Sequence, residues 1–423
     1  MGSIIIHGGV KLKGTVRIQG SKNTALPIIA ATILIRGKTE LYHCPDISDI
    51  EYMLDIMREN GCKIIWNRDK ANKNTDKLII DACNCDGFVV PQKYAQRIRS
   101  SITFLGAMLG RSHKAVIPYP GGCSIGERPI DLHLSSLAKM NVTFHERDRI
   151  LYATADRMKG ALIRLKKPSV GATENIIISA VLANGTTRIK GAACEPEIVY
   201  LCDFLKRAGA DINGAGTSYI VIKGVKKLQA IRYYIPSDRI VAGTYALATV
   251  ATRGRVTIEE CPVNEMSALI TELKKAGAAV TGSKRRMELD AGMVHGPIPY
   301  ICTKPYPGFP TDLQPQMVAA MTTLYGKSMI REAVFESRFR FVQQLRMMGA
   351  QIEMDGNDAC IDGGCPLKGC SVYAKDLRGG AALVLAGLSA YGVTIVENAE
   401  VIERGYEDIC RDLNNLGARM RKI

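Results

Sequence analysis

No stretch of this chain stays apolar for the ~18 residues that a membrane-spanning helix needs, so no spanning segment is expected. The start, MGSIIIHGG, lacks a basic n-region and a long apolar h-region, so no signal peptide is expected either. Ile6 spoils a myristoylation reading of Met1-Gly2. A cytoplasmic protein is the expectation. The six histidines form no HExxH or comparable cluster. GGCSIG has part of the glycine spacing of a P-loop, but Glu127 follows where Lys-Ser/Thr is required, which excludes that motif. Acidic residues are fewer than basic ones, 41 against 56, giving a formal net charge of +15. Such an excess attracts anions: nucleic acid, anionic lipid or phosphorylated metabolites. It is dispersed along the chain, apart from short runs such as Lys284-Arg285-Arg286, and so reads as a solvated surface.

Hydrophobic residues make up 47% and charged residues 23% of 423, the balance of a globular protein with a large core in two or three domains. The 13 cysteines read as reduced thiols in a cytosolic chain, mostly small core hydrophobes. Their number is odd, so at least one stays free. Cys360, Cys365 and Cys370 are spaced more loosely than a zinc knuckle and have no histidine nearby, so no metal site is expected.

Self-similarity is the strongest signal of organisation. An amphipathic helix ending in Gly and running into a strand recurs at 53–64, 134–144, 201–212, 268–280, 342–352 and 409–420. The terminal residue is Gly61, Gly209, Gly277, Gly349 or Gly417, and once Asn141. These are the residue types that tolerate the left-handed conformation closing a helix. Between these units lies a helix of small apolar residues, then Gly, then a β-rich strand: 25–44, 178–192, 244–260, 317–333 and 382–398, with a more degenerate copy at 102–117. The spacing is roughly 70 residues. Each unit is an α/β element that cannot bury its own helices. Six units fit two clusters of three, with a connector near 231–237 and a cleft between two domains.

Four segments carry candidate chemistry. PYPGGCSIGERPIDLHL (118–134) puts Cys123 in a glycine-rich loop, where a thiol beside Arg128 could act as acid or nucleophile on a lid; a turn that happens to hold one of 13 cysteines is the plainer explanation. Ser21-Lys22-Asn23 stands just before an apolar helix, where Lys22 and the helix N-terminus could hold an anion, or where Ser21 or Asn23 simply caps it. In GFPTDLQPQ (308–316), Asp312 could be an N-cap or a general base for a hydroxyl. Arg338, Arg378 and Arg404 fall at matching places in successive repeats, and converging arginine forks suit a ligand bearing phosphate and carboxylate.

Together these segments resemble the enolpyruvyl transferase family. Gly20-Ser21-Lys22-Asn23, PGGCSIGERPIDLH, KPSVGATENI (167–176), EPEI (195–198), FPTDLQPQ, FESRF, KDLRGGAALVLAG and ERGYE match family segments in order over essentially the whole chain. The Cys-bearing loop and the FPTD segment resemble the branch that uses UDP-N-acetylglucosamine. The resemblance implies an α/β protein, a two-domain inside-out α/β barrel of six βαβαββ repeats, three per domain. One domain would comprise 1–19 with 237–423, carrying the arginines for phosphoenolpyruvate and the base Asp312. The other would comprise 20–236, with the Cys123 loop.

The implied reaction moves the enolpyruvyl group of phosphoenolpyruvate to the 3′-hydroxyl of UDP-N-acetylglucosamine and releases phosphate, the first committed step of peptidoglycan synthesis. By matching motifs, Lys22, Arg128, Arg338, Arg378 and Arg404 would bind phosphoenolpyruvate, with Lys22 and Arg404 also catalytic. Asn23, Arg99, Arg128, Pro129, Ile130, Asp131 and Leu132 would line the substrate site. Lys167, Ser169, Val170 and Gly171 would hold the uridine diphosphate, Val334 would touch the same nucleotide sugar, and Asp376 joins the substrate-binding set. Asp312 is the implied base and Cys123 the implied acid, open to a covalent adduct with phosphoenolpyruvate and to inactivation by fosfomycin. The partners implied are these two small molecules, with no nucleic acid and no membrane. No metal or organic cofactor is required, and a monomer is compatible with all of this.

Two departures stand out. Glu127 replaces a residue that is more often small, and Thr103 stands where Trp is common. Both bear on the lid. Two alternatives remain at this point: a shikimate-type enolpyruvyl transferase, and a basic RNA-binding protein on the related repeat fold of RNA 3′-terminal phosphate cyclases.

Overall fold

The computed structural model describes residues 2–68, 76–121, 126, 129–283 and 285–423. Six helices of small and β-branched residues are buried over most of their surface: Lys22–Ala31, Phe104–Ser112, Val170–Ala180, Arg239–Ala251, Gln314–Met321 and Leu377–Ser389. In the last of these every residue from Leu377 to Leu388 is buried. A helix apolar all round has to be enclosed, and these inner helices are. Small residues let them approach: a Cβ on Gly106 would lie 2.6 Å from the carbonyl oxygen of Asn175 on the next inner helix.

Six further helices bury one face only: Ser48–Glu59, Asp131–Ala138, Pro196–Arg207, Ser267–Lys275, Val342–Met347 and Ile409–Asn415. The residues that end them turn left-handed, with φ of +94° at Gly61, +70° at Asn141, +103° at Gly209, +96° at Gly277, +97° at Gly349 and +89° at Gly417. Asn is the non-glycine residue that takes this conformation most readily, which accounts for the single exception.

The strands alternate buried and exposed residues, as in Thr186–Lys190, so each sheet has one face for a core and one for solvent. Five sheets share a four-strand order. In one of them Leu162–Arg164 runs parallel to Thr186–Lys190, and Tyr219–Lys223 and Asp211–Asn213 follow antiparallel. The sheet of Lys114–Pro118, Ile150–Thr154 and Thr143–Arg147 has three strands and a single parallel bridge from Val89 to Val116.

The chain divides into two compact units. A terminal unit holds Met1–Gln19 and Ser237–Ile423, and a central unit holds the described residues of 20–121 and 129–236. Strand exchange along the chain explains the division. Ile4–His7 lies antiparallel between Val393–Glu397 and Arg419–Lys422, and Lys13–Arg17 lies parallel to Arg255–Glu259. The first residues therefore complete two sheets of the terminal unit. In the same way Arg232–Tyr234 returns to lie parallel to Lys38–Tyr42 in the central unit. Each unit has its own apolar core. No helix among the described residues is long and apolar enough to cross a membrane.

Candidate functional site

In the terminal unit three candidate residues meet. Asp312 lies within the one-turn helix Thr311–Leu313, ahead of the inner helix Gln314–Met321. Its Oδ1 accepts from Arg338 Nη2 at 2.8 Å and its Oδ2 from Arg378 Nη2 at 2.9 Å. The side chains of Arg338 and Arg378 are 2% and 5% exposed and that of Asp312 is 27% exposed. Asp312 is thus a shared counter-ion of two arginines, not a helix cap. Arg338 Nε and Arg378 Nη1 remain buried donors without an acceptor among the described residues. Buried guanidinium donors are costly to leave unmade, and two of them beside one carboxylate form a receptor for a further anion. Burial works against the charge of Arg378, but the carboxylates of Asp312 and Asp238 outweigh it and raise the guanidinium's pKa.

Asp376 is the cap of the helix that carries Arg378: its Oδ1 accepts from the backbone N–H of Arg378 at 3.1 Å and of Gly379 at 3.0 Å. Beneath Arg378, at 6.0 Å from its Cζ, lies the ring of Tyr406. The Tyr406 hydroxyl is 2.8 Å from Thr244 Oγ1 and accepts from Gln316 Nε2 at 3.3 Å, which ties the arginine to two inner helices. Arg404 is half-buried at the end of the one-turn helix Ala399–Arg404. The matching-places expectation holds for Arg338 and Arg404, each on a short turn ahead of an amphipathic helix. It fails for Arg378, which sits in the first turn of an inner helix because Asp376 starts that helix two residues earlier. Val334 is 40% exposed and its N–H donates to Glu332.

In the central unit the inner helix begins at Lys22, so that Lys22 and Asn23 lie inside it and not before it, with Ser21 as its cap. Lys22 is not solvated: Nζ is 2.6 Å from Asp49 Oδ2, and both side chains are largely buried. Asn23 is half-buried in the same turn. Ser169 caps Val170–Ala180 by accepting from the N–H of Ala172 at 3.4 Å, placing Val170 and Gly171 in the first turn and exposed Lys167 just before it. A Cβ on Gly171 would stand 3.2 Å from His133 Cε1, and His133 Nδ1 is 2.9 Å from Asn175 Nδ2. The His133 contact brings Gly171 beside the segment with exposed Pro129, buried Ile130, exposed Asp131 and half-buried Leu132. Arg99 opens the one-turn helix Arg99–Thr103, which leads into another inner helix and buries Thr103. Cys123, Glu127 and Arg128 lie outside the described residues.

A rule of placement emerges that spacing alone did not give. Lys22, Arg99, Ser169 to Gly171, Asp312 and Arg378 all stand at or just before the N-terminal ends of inner helices. There, free N–H groups and the helix dipole favour bound anions. Sequence reasoning missed Asp49, His133, Glu332 and Tyr406. Glu197 and Glu174 are also buried in this unit, and burial together with Glu197 and Glu195 pushes the Glu174 carboxyl up to about 8.

The sequence model of the EPSP synthase (3-phosphoshikimate 1-carboxyvinyltransferase) family matches residues 6–413. The chain is similar over its full length to the UDP-N-acetylglucosamine 1-carboxyvinyltransferase 2 of Caldanaerobacter subterraneus, with 43% identity and 100% of both chains covered. It is also similar to the UDP-N-acetylglucosamine 1-carboxyvinyltransferase 1 of Carboxydothermus hydrogenoformans, with 41% identity over 100% of this chain and 99% of the other. Among solved structures it resembles the enolpyruvyl transferase NikO of Streptomyces tendae, with a TM-score of 0.88, 26% identity, and coverage of 100% of this chain and 98% of the other.

Proposed function

The chain belongs to the EPSP synthase family of enolpyruvyl transferases, and we propose that it transfers the enolpyruvyl group of phosphoenolpyruvate to the 3′-hydroxyl of UDP-N-acetylglucosamine with release of phosphate. The acceptor follows from the relatives, whose names specify it over the whole length of the chain. The observation that carries the donor is the pair of buried arginines sharing Asp312 while two of their N–H groups lack a partner among the described residues. A substrate with both phosphate and carboxylate supplies the acceptors those forks need. The reaction belongs to the cytoplasmic opening of peptidoglycan synthesis. The repeats make up a two-domain inside-out α/β barrel, three in each of the domains 1–19 with 237–423 and 20–236.

The chemistry divides between a base and an acid. Asp312 takes the proton of the 3′-hydroxyl as its oxygen attacks C2 of phosphoenolpyruvate, and Cys123 delivers a proton to C3. The product is a tetrahedral ketal. Loss of the C3 proton and departure of phosphate then give the enol ether. Lys22, Arg128, Arg338, Arg378 and Arg404 balance the phosphate and carboxylate throughout. Asn23, Arg99, Pro129, Ile130, Asp131 and Leu132 line the acceptor, Lys167, Ser169, Val170 and Gly171 hold its diphosphate, and Val334 touches it. Asp376 acts by holding the turn of Arg378.

Asp312 has both oxygens engaged by guanidinium groups. When the substrate phosphate and carboxylate take over those forks, lone pairs of Asp312 are released toward the hydroxyl. Binding of the donor therefore frees the base.

Phosphate release tests the whole reading. It is expected with phosphoenolpyruvate and UDP-N-acetylglucosamine together and not with either alone. Release supported instead by shikimate 3-phosphate moves the chain to the shikimate branch, and release with neither acceptor removes the proposal.

A further inference from the structure

Glu332 stands at the end of strand Gly326–Arg331, and it is 1% exposed. A carboxylate so deep is costly unless its lone pairs are filled. Here they are. Glu332 Oε1 accepts from Thr303 Oγ1 at 2.8 Å, from the N–H of Val334 at 2.8 Å and from the N–H of Phe335 at 3.1 Å. Its Oε2 accepts from Thr311 Oγ1 at 2.9 Å. The network is braced further by Thr303 Oγ1, which accepts from the N–H of Ala333 at 2.9 Å.

These donors come from three separate stretches. Thr303 follows strand Ile301–Cys302 and bridges to Phe309. Thr311 belongs to the single turn that bears Asp312. Val334 and Phe335 open the segment leading to Arg338. One buried carboxylate thus joins the turn of the base to the segment of its arginine. A carboxylate, which only accepts, matches four converging donors in a way no neutral side chain does.

We propose that Glu332 is a positioning residue for the transfer reaction: through Thr311 it sets where Asp312 stands relative to Arg338 and Val334. The inference rests on the function proposed above. Glu332 touches neither substrate nor reacting atoms. It acts by narrowing the range of positions open to a group whose misplacement by about 1 Å costs up to a hundredfold in rate.

The test cuts one link at a time. Thr311→Val is close to isosteric, removes only the hydroxyl that reaches Glu332 Oε2, and leaves the backbone donors in place. It should keep the wild-type circular dichroism spectrum, with a Tm lower by a few degrees because Glu332 Oε2 loses its donor. Its kcat should fall about tenfold or more while KM for UDP-N-acetylglucosamine stays within about twofold, because orientation and not binding is lost. Thr311→Ser keeps the hydroxyl and should restore kcat. Glu332→Gln should lie between, since an amide carbonyl can replace the threefold acceptor Oε1 while Thr311 turns its hydroxyl to accept from the amide N–H. In the Thr311→Val, Glu332→Gln double variant the two losses should not add, because both act on the one link between positions 311 and 332.

Three results overturn the proposal. One is a kcat for Thr311→Val equal to wild type. Another is a loss carried by KM alone, and the third is an equal loss in Thr311→Ser. Wild-type protein assayed alongside separates this failure from the larger one: if wild type releases no phosphate with UDP-N-acetylglucosamine, the functional reading falls and takes this inference with it.

Discussion

Asp312 is bonded by two arginines, whereas the chemistry proposed for it needs a lone pair aimed at a hydroxyl. The conflict has a measurable consequence. In Asp312→Asn the arginines lose their internal anion, so inorganic phosphate should bind several-fold more tightly in a calorimetric titration, while turnover falls by about a hundredfold or more. A variant that binds phosphate more weakly than wild type would show that Asp312 recruits the anion and does not compete with it. A second residue-scale expectation concerns thiols. Burial pushes Cys202, Cys261 and Cys410 up to about 12, and a hydrogen bond to Asp81 raises exposed Cys83. Fosfomycin carries a phosphonate that needs the arginine forks, so it should label Cys123 alone, sparing even exposed Cys360 and Cys365. Peptide mapping that finds label spread over many cysteines, or none on Cys123 in active protein, refutes this. Lys22, Asp312, Arg338 and Arg378 were legible because each sits in a segment with its own local character. Asp49, Glu332 and Tyr406 were not, because their meaning lies in partners far along the chain: Thr303 is 29 positions from Glu332, and Thr244 is 162 from Tyr406.

At the scale of elements, the left-handed closures offer a clean stability measurement. Gly209 has φ +103° and open space where a Cβ would go, so Gly209→Ala meets no clash and feels only the backbone cost. About 1–2 kcal/mol is expected, or a Tm lower by a few degrees in a domain of this size. Asn141→Gly should be close to neutral, since Asn141 already stands at φ +70°. A higher Tm for Gly209→Ala would contradict the conformational argument. The inner helix Val170–Ala180 carries a pH signal of its own. Glu174 titrates near 8 in the folded chain against an ordinary 4.5. Across that window the native state keeps a proton that the unfolded chain has released, so stability falls as pH rises from about 4.5 to about 8. Glu174→Gln has no such proton, and its Tm should decline less than wild type between pH 5 and pH 8. Parallel declines in the two proteins would remove Glu174 as the cause. Helix period and closing residues were readable because they are local. The strand order was not: Ile4–His7 finds its partners at the far end of the chain, at Val393–Glu397 and Arg419–Lys422, and no local pattern encodes that pairing.

The whole molecule is built around two apolar cores that share no residue. One gathers Ile4 to Ile18 with side chains from Ile240 to Met420, and the other runs from Ala25 to Ile235. A connector was expected near 231–237, where Pro236 interrupts the periodicity; Arg232–Tyr234 is instead a strand of the central unit, and the part played by the first residues of the chain had no marker of its own. Their role follows from pairing. Lys13–Arg17 supplies the parallel edge of the Arg255–Glu259 sheet, and Ile4–His7 is an interior strand between two others. Removing an interior strand leaves two rows of backbone N–H and C=O groups unpaired and strips Ile4 and Ile6 from the core. The central unit needs nothing from that segment, since its returning strand Arg232–Tyr234 lies within 20–236. A fragment of residues 20–236 should therefore be folded, with one cooperative thermal transition. A chain of 20–423 should keep that transition and lose the one belonging to the terminal unit, along with all turnover, because Asp312, Arg338 and Arg378 would no longer be held in place. Scanning calorimetry of the three proteins decides it. A 20–236 fragment without a cooperative transition would mean that the central core depends on the terminal unit. A 20–423 chain that keeps both transitions would mean that strand Ile4–His7 adds little to the sheet it completes.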